Sequence, residues 1–124
     1  MIDFNNDVFG KMTPVNTKIF GHQVIPILID GEEIISAYQA LRDGVVFTNK
    51  RIIAINIQGF TGKKIDMTSL PYSRIQTFSV ESCGVMDLDS ELELWFSGLG
   101  KVRFEFSGNV DINKICKLIS EFVL

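Results

Sequence analysis

Apolar and polar residues alternate along most of the chain after residue 33, and this pattern predicts a protein built mainly from β-strands. A strand with one buried face requires a two-residue period, because successive side chains point to opposite sides of a sheet. Turn-forming residues separate the alternating segments at the spacing of about 8–12 residues that is typical of antiparallel sandwiches and barrels. The seven predicted strands cover residues 34–41, 45–48, 51–57, 63–70, 75–82, 91–96 and 101–106.

The last segment of the chain has a helical period instead. From Ile112 onward, apolar residues recur every three or four positions, which predicts one amphipathic helix with Asp111 or Asn109 capping its start. A helix of this length is barely stable in water by itself. We therefore expect its apolar face to cover the open end of the strand barrel.

The first 30 residues lack the strand pattern. Their apolar residues recur at spacings near three and four, which predicts one or two short helices over residues 2–9 and 15–24. On this basis we divide the chain into an N-terminal helical extension, residues 1–30, and one β-domain, residues 31–124.

Composition and charge narrow the possible functions. The chain has 124 residues, the size of one domain, with a net charge of -3 and a pI near 5.1. This balance argues against nucleic acid as a partner, because nucleic-acid-binding domains carry a basic face. The longest apolar run, residues 24–29, is far shorter than the roughly 20 residues of a membrane-spanning helix. The first residues, "MIDFNND", lack the features of a secretory signal, so we expect a cytoplasmic protein.

Side chains suited to catalysis or metal binding do not form a recognisable motif. His22 is the only histidine, and no Cys or Ser lies in a recognisable nucleophile motif, so no Ser-His-Asp or Cys-His arrangement can be assembled. The stretch "GFTGKK", residues 59–64, departs from the phosphate-binding spacing G-x-x-x-x-G-K-[ST]. We therefore expect no enzyme activity, no metal and no cofactor.

Seven antiparallel strands followed by one helix is the element order of a pleckstrin-homology (PH) fold. Several stretches together resemble the bacterial PH-like family, and the match covers about residues 30–124. They are "FTNKR" (47–51), "GFTGKK" (59–64), "LPYSRI" (70–75), "VES.G..D.DSELELW" (80–95) and the closing amphipathic helix. The resemblance implies a mainly β, seven-stranded antiparallel barrel or sandwich with a C-terminal α-helix.

The same resemblance implies a non-catalytic binding and assembly module, since some members of that family form closed rings of subunits. We therefore expect the chain to associate with itself as a symmetric homo-oligomer and to hold an unidentified protein partner. The candidate interface residues are Phe4, Phe9, Phe20, Glu93, Trp95, Arg103 and Glu105.

The interface residues on the last hairpin depend on its predicted register. A five-residue loop over 97–101 would place Trp95 opposite Arg103 and Glu93 opposite Glu105, all facing outward. Like charges directly opposite each other are unfavourable. Lysine or arginine of a neighbouring subunit would relieve that repulsion, whereas the competing interpretation is an ordinary solvated face.

Peripheral binding to an anionic membrane is the alternative function. Its candidate contacts lie in two loops: Lys50, Arg51, Phe60, Lys63 and Lys64. The strand between the two loops separates them by about 20 Å, so the four cations would not converge on one headgroup. The acidic net charge also counts against this alternative, and the competing interpretation is that these cations are solvated ends of hairpins.

Overall fold

Two antiparallel sheets and one long helix make up most of this computed structural model, which describes residues 1–6, 9–82 and 88–124. The strands are β1 (Thr13–Val15), β2 (Ile34–Ala40), β3 (Asp43–Thr48), β4 (Arg51–Gln58), β5 (Lys64–Pro71), β6 (Ile75–Ser82), β7 (Ser90–Phe96) and β8 (Gly100–Phe106). The helices are α1 (Gly21–Val24) and α2 (Ile112–Val123), and short 3-10 turns cover Ile25–Ile27 and Tyr72–Arg74. One sheet has the order β1-β2-β3-β4-β5, and the other has the order β6-β7-β8.

The mainly β prediction is confirmed, and each of the seven predicted strands corresponds to one of β2 to β8. The predicted strand number is wrong by one, because the described residues contain eight strands in two sheets. The additional strand, β1, pairs antiparallel with β2 from Thr13 opposite Gln39 to Val15 opposite Ala37. Three residues including Pro14 are too short to display a two-residue period, and proline is tolerated at such an edge position.

The N-terminal helix predictions are largely wrong. Residues 4–6 form a turn, residues 7 and 8 lie outside the described part, and only Gly21–Val24 within 15–24 is α-helical. The apolar spacing has a different origin, because these side chains pack into two separate clusters on the two faces of the larger sheet. The division of the chain at residue 30 stays an interpretation of the sequence.

The main cluster lies between the two sheets and the second one covers the outer face of the five-stranded sheet. The main cluster contains Ile2, Phe9 and Met12 together with strand residues of both sheets and α2. The second contains Phe20 and Val24 against Ala37, Val46, Ile53 and Ile55. Because β3 and β4 are covered on both faces, their sequences "VVF" and "IIAI" are continuously apolar.

The C-terminal helix is confirmed. Asp111 caps α2 by accepting hydrogen bonds from the backbone N–H groups of Asn113 at 3.0 Å and Lys114 at 3.4 Å. Its buried side chains Ile112, Ile115 and Ile119 belong to the main cluster, which supplies the stability that a helix of this length lacks in isolation.

The turn between β2 and β3 differs from its prediction at residues 42–44. Ala40 pairs with Asp43, so the two turn residues are Leu41 and Arg42, and Gly44 lies inside β3. Gly44 is required there for packing, because a Cβ at this position would lie 2.2 Å from the Phe20 ring. The absence of a side chain at Gly44 therefore allows the Phe20 ring, just before α1, to pack on the sheet.

We predict that Gly44→Ala lowers the free energy of unfolding by about 1–3 kcal/mol, the usual cost of forcing an extra methyl into a packed core. Urea unfolding followed by circular dichroism measures the change. Gly21→Ala is the matched control, because a Cβ there meets only Ile25 Cδ1 at 3.5 Å, an ordinary contact. Equal stability of the Gly44→Ala variant and the wild type would contradict the packing role.

Candidate functional site

Arg51, a candidate lipid contact, is only partly exposed and is bound to other parts of the chain. Its Nε and Nη2 donate to the two carboxylate oxygens of Glu32, both at 2.9 Å. Nη2 also donates to the carbonyl oxygen of Ile27 at 2.7 Å, and Nη1 donates to Ser69 Oγ at 2.9 Å. The guanidinium thus joins three parts of the chain, and this structural role was assigned by neither interpretation of the sequence.

Glu32 is the anionic partner, and its side chain is fully buried. It also accepts hydrogen bonds from Thr48 Oγ1 at 2.7 Å and from the backbone N–H of Ile29 at 3.1 Å. Burial raises the pKa of this carboxyl, but the hydrogen bonds from Arg51, Thr48 and Ile29 outweigh it and hold the pKa below its ordinary value. Glu32 is therefore ionised in the folded protein at neutral pH.

The other candidate cations lie at two ends of β4. Arg51 pairs with Pro71 and Gln58 with Lys64, so Lys50 and Lys64 flank opposite ends of the same strand pair. The predicted separation of the two cationic loops is confirmed.

The turn between β2 and β3 and the turn between β4 and β5 form an exposed surface at the Gln58 end of β4. We name this surface the loop tip, and it consists of Leu41, Arg42, Phe60, Lys63 and Lys64. Leu41 is 96% exposed and Phe60 is fully exposed. Arg42 Nη1 donates to the carbonyl oxygen of Gly59 at 2.8 Å, which ties the two turns together. The loop tip thus presents two large apolar side chains that the protein itself leaves uncovered.

Leu41 was missed as a candidate because the turn was predicted one residue later. Its φ of 55° is the one positive value among the described non-glycine residues. A left-handed conformation costs a leucine roughly 1–2 kcal/mol. Strain of this kind at an exposed apolar side chain is a signal of function that only the structure supplies.

The outer face of the β6-β7-β8 sheet contains the remaining candidates, and its register corrects the predicted one. Trp95 lies opposite Lys101 and Glu93 lies opposite Arg103, a shift of two residues. Phe96 pairs with Gly100, which leaves a three-residue turn in place of the predicted five-residue loop. Gly98 and Gly100 permit this tight turn with φ values of 85° and 92°.

The predicted Glu93–Glu105 pair is wrong, because Glu105 lies opposite Glu91, which in turn lies opposite Glu81. Arg103 pairs with Glu91 and with Glu105, the latter at 2.9 Å, and Lys101 lies 3.7 Å from Glu93. The hydrogen bond from Arg103 holds the pKa of Glu91 below its ordinary value. Glu91 was not a predicted site residue, because the predicted register placed Arg103 opposite Trp95 and so missed the pair that Arg103 forms with Glu91.

Trp95 is 47% exposed on this face and lies between Thr77 of β6 and Lys101 of β8. The N-terminal aromatic candidates lie elsewhere. Phe9 and Phe20 are buried, and Phe4 is half-buried with its ring centroid 6.3 Å from that of Phe9. Of the four aromatic candidates for the interface, Trp95 therefore offers the most surface to a partner.

Residues 1–6, 9–82 and 88–124 contain no group of three or more His, Cys, Asp or Glu side chains placed to hold a metal ion. The helices in this part of the chain are all too short or too polar to cross a bilayer.

The chain is similar over nearly its whole length to a family model and to several bacterial proteins. The family model described as "Bacterial PH domain" matches residues 3–123. The uncharacterized protein YjqA of Bacillus subtilis is 39% identical over 119 residues, which cover 94% of this chain and 95% of YjqA.

Solved structures agree with this family match. A crystal structure of a DUF1696 family protein with a pleckstrin-homology domain from Shewanella loihica is 41% identical, with a TM-score of 0.80 over 93% of this chain and 99% of that one. A pleckstrin homology domain from Shewanella amazonensis is also 41% identical, with a TM-score of 0.67 over 89% of this chain and 90% of that one. The predicted PH-like fold is thereby confirmed.

We predict that Glu32→Gln lowers the free energy of unfolding at pH 7 by roughly 2–4 kcal/mol. This is somewhat less than the ~3–5 kcal/mol of a fully buried pair, because Arg51 remains partly exposed. The folded-state pKa of Glu32 lies below its ordinary value of 4.5. The stabilisation is thus present above pH 4.5 and is lost as the pH falls through the lowered pKa.

Urea unfolding between pH 7 and pH 3 measures this effect. The difference between wild type and Glu32→Gln should shrink below pH 4.5, because the wild-type carboxyl then also becomes neutral. Glu33→Gln, at an exposed neighbouring position, is the control and should remain close to wild type. A Glu32→Gln difference that stays constant over the whole pH range would contradict the assigned ion pair.

Proposed function

This chain belongs to the bacterial PH domain family, and we propose that it is a non-catalytic binding module that associates with itself as a symmetric homo-oligomer and holds a protein partner. The observation that carries the proposal is the half-exposed indole of Trp95 on the outer face of the β6-β7-β8 sheet. Tryptophan is enriched among the residues that contribute most to protein association.

The charge pattern around Trp95 favours burial of this face. Arg103 is already paired with Glu91 and Glu105, and Lys101 lies beside Glu93. Covering these paired charges does not isolate them, whereas an isolated buried charge makes association costly. Glu81 is exposed on the same face opposite Glu91 and, among the described residues, has no ion pair. The face therefore keeps an excess of carboxylates, which lysine or arginine of a neighbouring subunit would neutralise.

Strand edges supply a second element of the proposed assembly. β5 and β6 are consecutive strands that end different sheets, so each has one edge without a strand neighbour among the described residues. Open edges are natural sites for pairing with another chain. Pairing of one edge with a different edge of the next subunit closes into a ring when the rotation between subunits allows it.

We predict a discrete mass that is a multiple of 13.9 kDa and that persists on dilution, as measured by light scattering over a hundredfold range of concentration. Trp95→Ser should reduce this mass, because it removes the main apolar contact of the face. Ile19→Ser, at a residue 51% exposed on another surface, is the matched control. A monomer at every concentration, or a mass unaffected by Trp95→Ser, would refute self-association through this face.

Membrane binding is a second candidate function, favoured by the exposure of Leu41 and Phe60 at the loop tip. Among the described residues, no ion pair involves Arg42, Lys63 or Lys64. Such cations contribute about 1 kcal/mol each when they approach an anionic bilayer. Lys50 and Arg51 do not belong to this surface, because they lie at the opposite end of β4.

We predict that sedimentation with vesicles of phosphatidylglycerol and phosphatidylcholine will weaken at least about tenfold in the double variant Leu41→Ser and Phe60→Ser. Burial of one such side chain in the bilayer contributes about 1.5–3 kcal/mol to the free energy of binding, so the loss of both side chains gives a readily measured decrease. The control is Ile25→Ser with Ile29→Ser, at residues 63% and 61% exposed away from the loop tip. Absence of wild-type binding at low salt would eliminate this candidate.

A further inference from the structure

A groove between β2 and α2 belongs to neither surface considered so far. It has a volume of about 570 Å³, and Tyr38, Phe47 and Ile115 are among the apolar residues that line it. Leu118 and Phe122 of α2 line it as well, and both are only partly buried. Its wall is therefore apolar and accessible from outside.

A β-bulge in β2 directs an additional side chain into this groove. Ile34 pairs with Thr48 and Ser36 pairs with Phe47, so Ile35 is an extra residue without a partner on β3. Ile35 and Ser36 both line the groove as a result, in place of the usual alternation. Ile35 is 43% exposed, and a bulge that re-aims an apolar side chain toward an open groove favours a binding role.

The backbone of β2 is available beside the same groove. β1 pairs with β2 only from Ala37 to Gln39. The same edge has no strand beside it at Ile34–Ser36 in the described part of the chain. An extended segment that continues the line of β1 would find free N–H and C=O groups there, which is the mode of recognition by strand addition.

The rim of the groove is cationic. Lys114 and Lys117 are exposed and lie three residues apart on α2, so they share one side of the helix. Within the described residues, no ion pair involves either of them. Glu121 is the one carboxylate that lines the groove, and it lies one turn further toward the end of α2. On a chain of net charge -3, this pair of free cations favours an acidic ligand.

We propose that the groove binds an extended segment of a partner protein that combines apolar and acidic residues. Its backbone pairs with Ile34–Ser36, an apolar side chain lies between Ile35 and Phe122, and aspartate or glutamate contacts Lys114 and Lys117. The inference rests on the proposal that the chain is a binding module, and it supplies the chemistry of the partner. It does not depend on self-association, because the groove is separate from the Trp95 face.

Selection from a phage-displayed library of random ten-residue peptides on the full chain tests the proposal. We expect enrichment of peptides with aspartate or glutamate next to valine, isoleucine or leucine. Fluorescence anisotropy of the strongest peptide should show affinity at least about tenfold lower for Lys114→Glu with Lys117→Glu, since both attractions become repulsions. Ile35→Ser should also weaken binding, and both changes are at exposed positions where the fold tolerates them.

The matched control is Lys63→Glu with Lys64→Glu, the same charge reversal at the loop tip, which should leave peptide affinity unchanged. Selection of peptides without acidic residues, no enrichment at all, or equal weakening by both charge reversals would overturn the inference. Light scattering of the Lys114→Glu and Lys117→Glu variant separates the proposals, because its native mass should equal that of the wild type whatever the peptide result.

Discussion

The ion pair between Glu32 and Arg51 is the contact on which the arrangement of the larger sheet depends. It joins the segment that covers the outer face to the start of β4, and through Ser69 it reaches β5. Thr48 belongs to the same network, and the Tyr72 hydroxyl donates to its carbonyl oxygen at 2.7 Å. A buried ion pair adds little net stability compared with apolar packing. Its many directional hydrogen bonds instead select one position of the covering segment over the sheet.

This network also determines which surfaces remain for binding. Arg51 is bound to Glu32 within the protein. Of the two candidate lipid contacts at the hairpin end of β3 and β4, Lys50 alone therefore remains available to a ligand. The apolar side chains that form candidate binding surfaces lie at the loop tip, on the smaller sheet and at the bulge of β2, and further exposed apolar side chains are Ile19, Ile25 and Ile29. The three surfaces are separate on the chain, which allows a single small domain to contact more than one kind of partner.

The predictable part of the structure is the part in which one local period dominates. β2 to β8 and α2 follow from alternation and from a three-to-four spacing, because each buries one consistent face. The N-terminal segment does not follow, since Phe9 packs between the sheets and Phe20 packs on the outside of one. The role of Arg51 was equally hidden, because Glu32 lies 19 residues earlier in the sequence. The register of the last hairpin depends on two left-handed glycines, and alternation alone does not specify turn length.

Coverage of both faces of the five-stranded sheet limits how this domain can diversify. Residues 44–48 of β3 and 52–55 of β4 are all buried, so a substitution there alters folding before it alters recognition. The outward residues of β6, β7 and β8 are not part of the core, and neither are the exposed turn residues of the loop tip. New binding specificities can therefore arise on the smaller sheet and in the turns, while the larger sheet keeps the same structure as a scaffold.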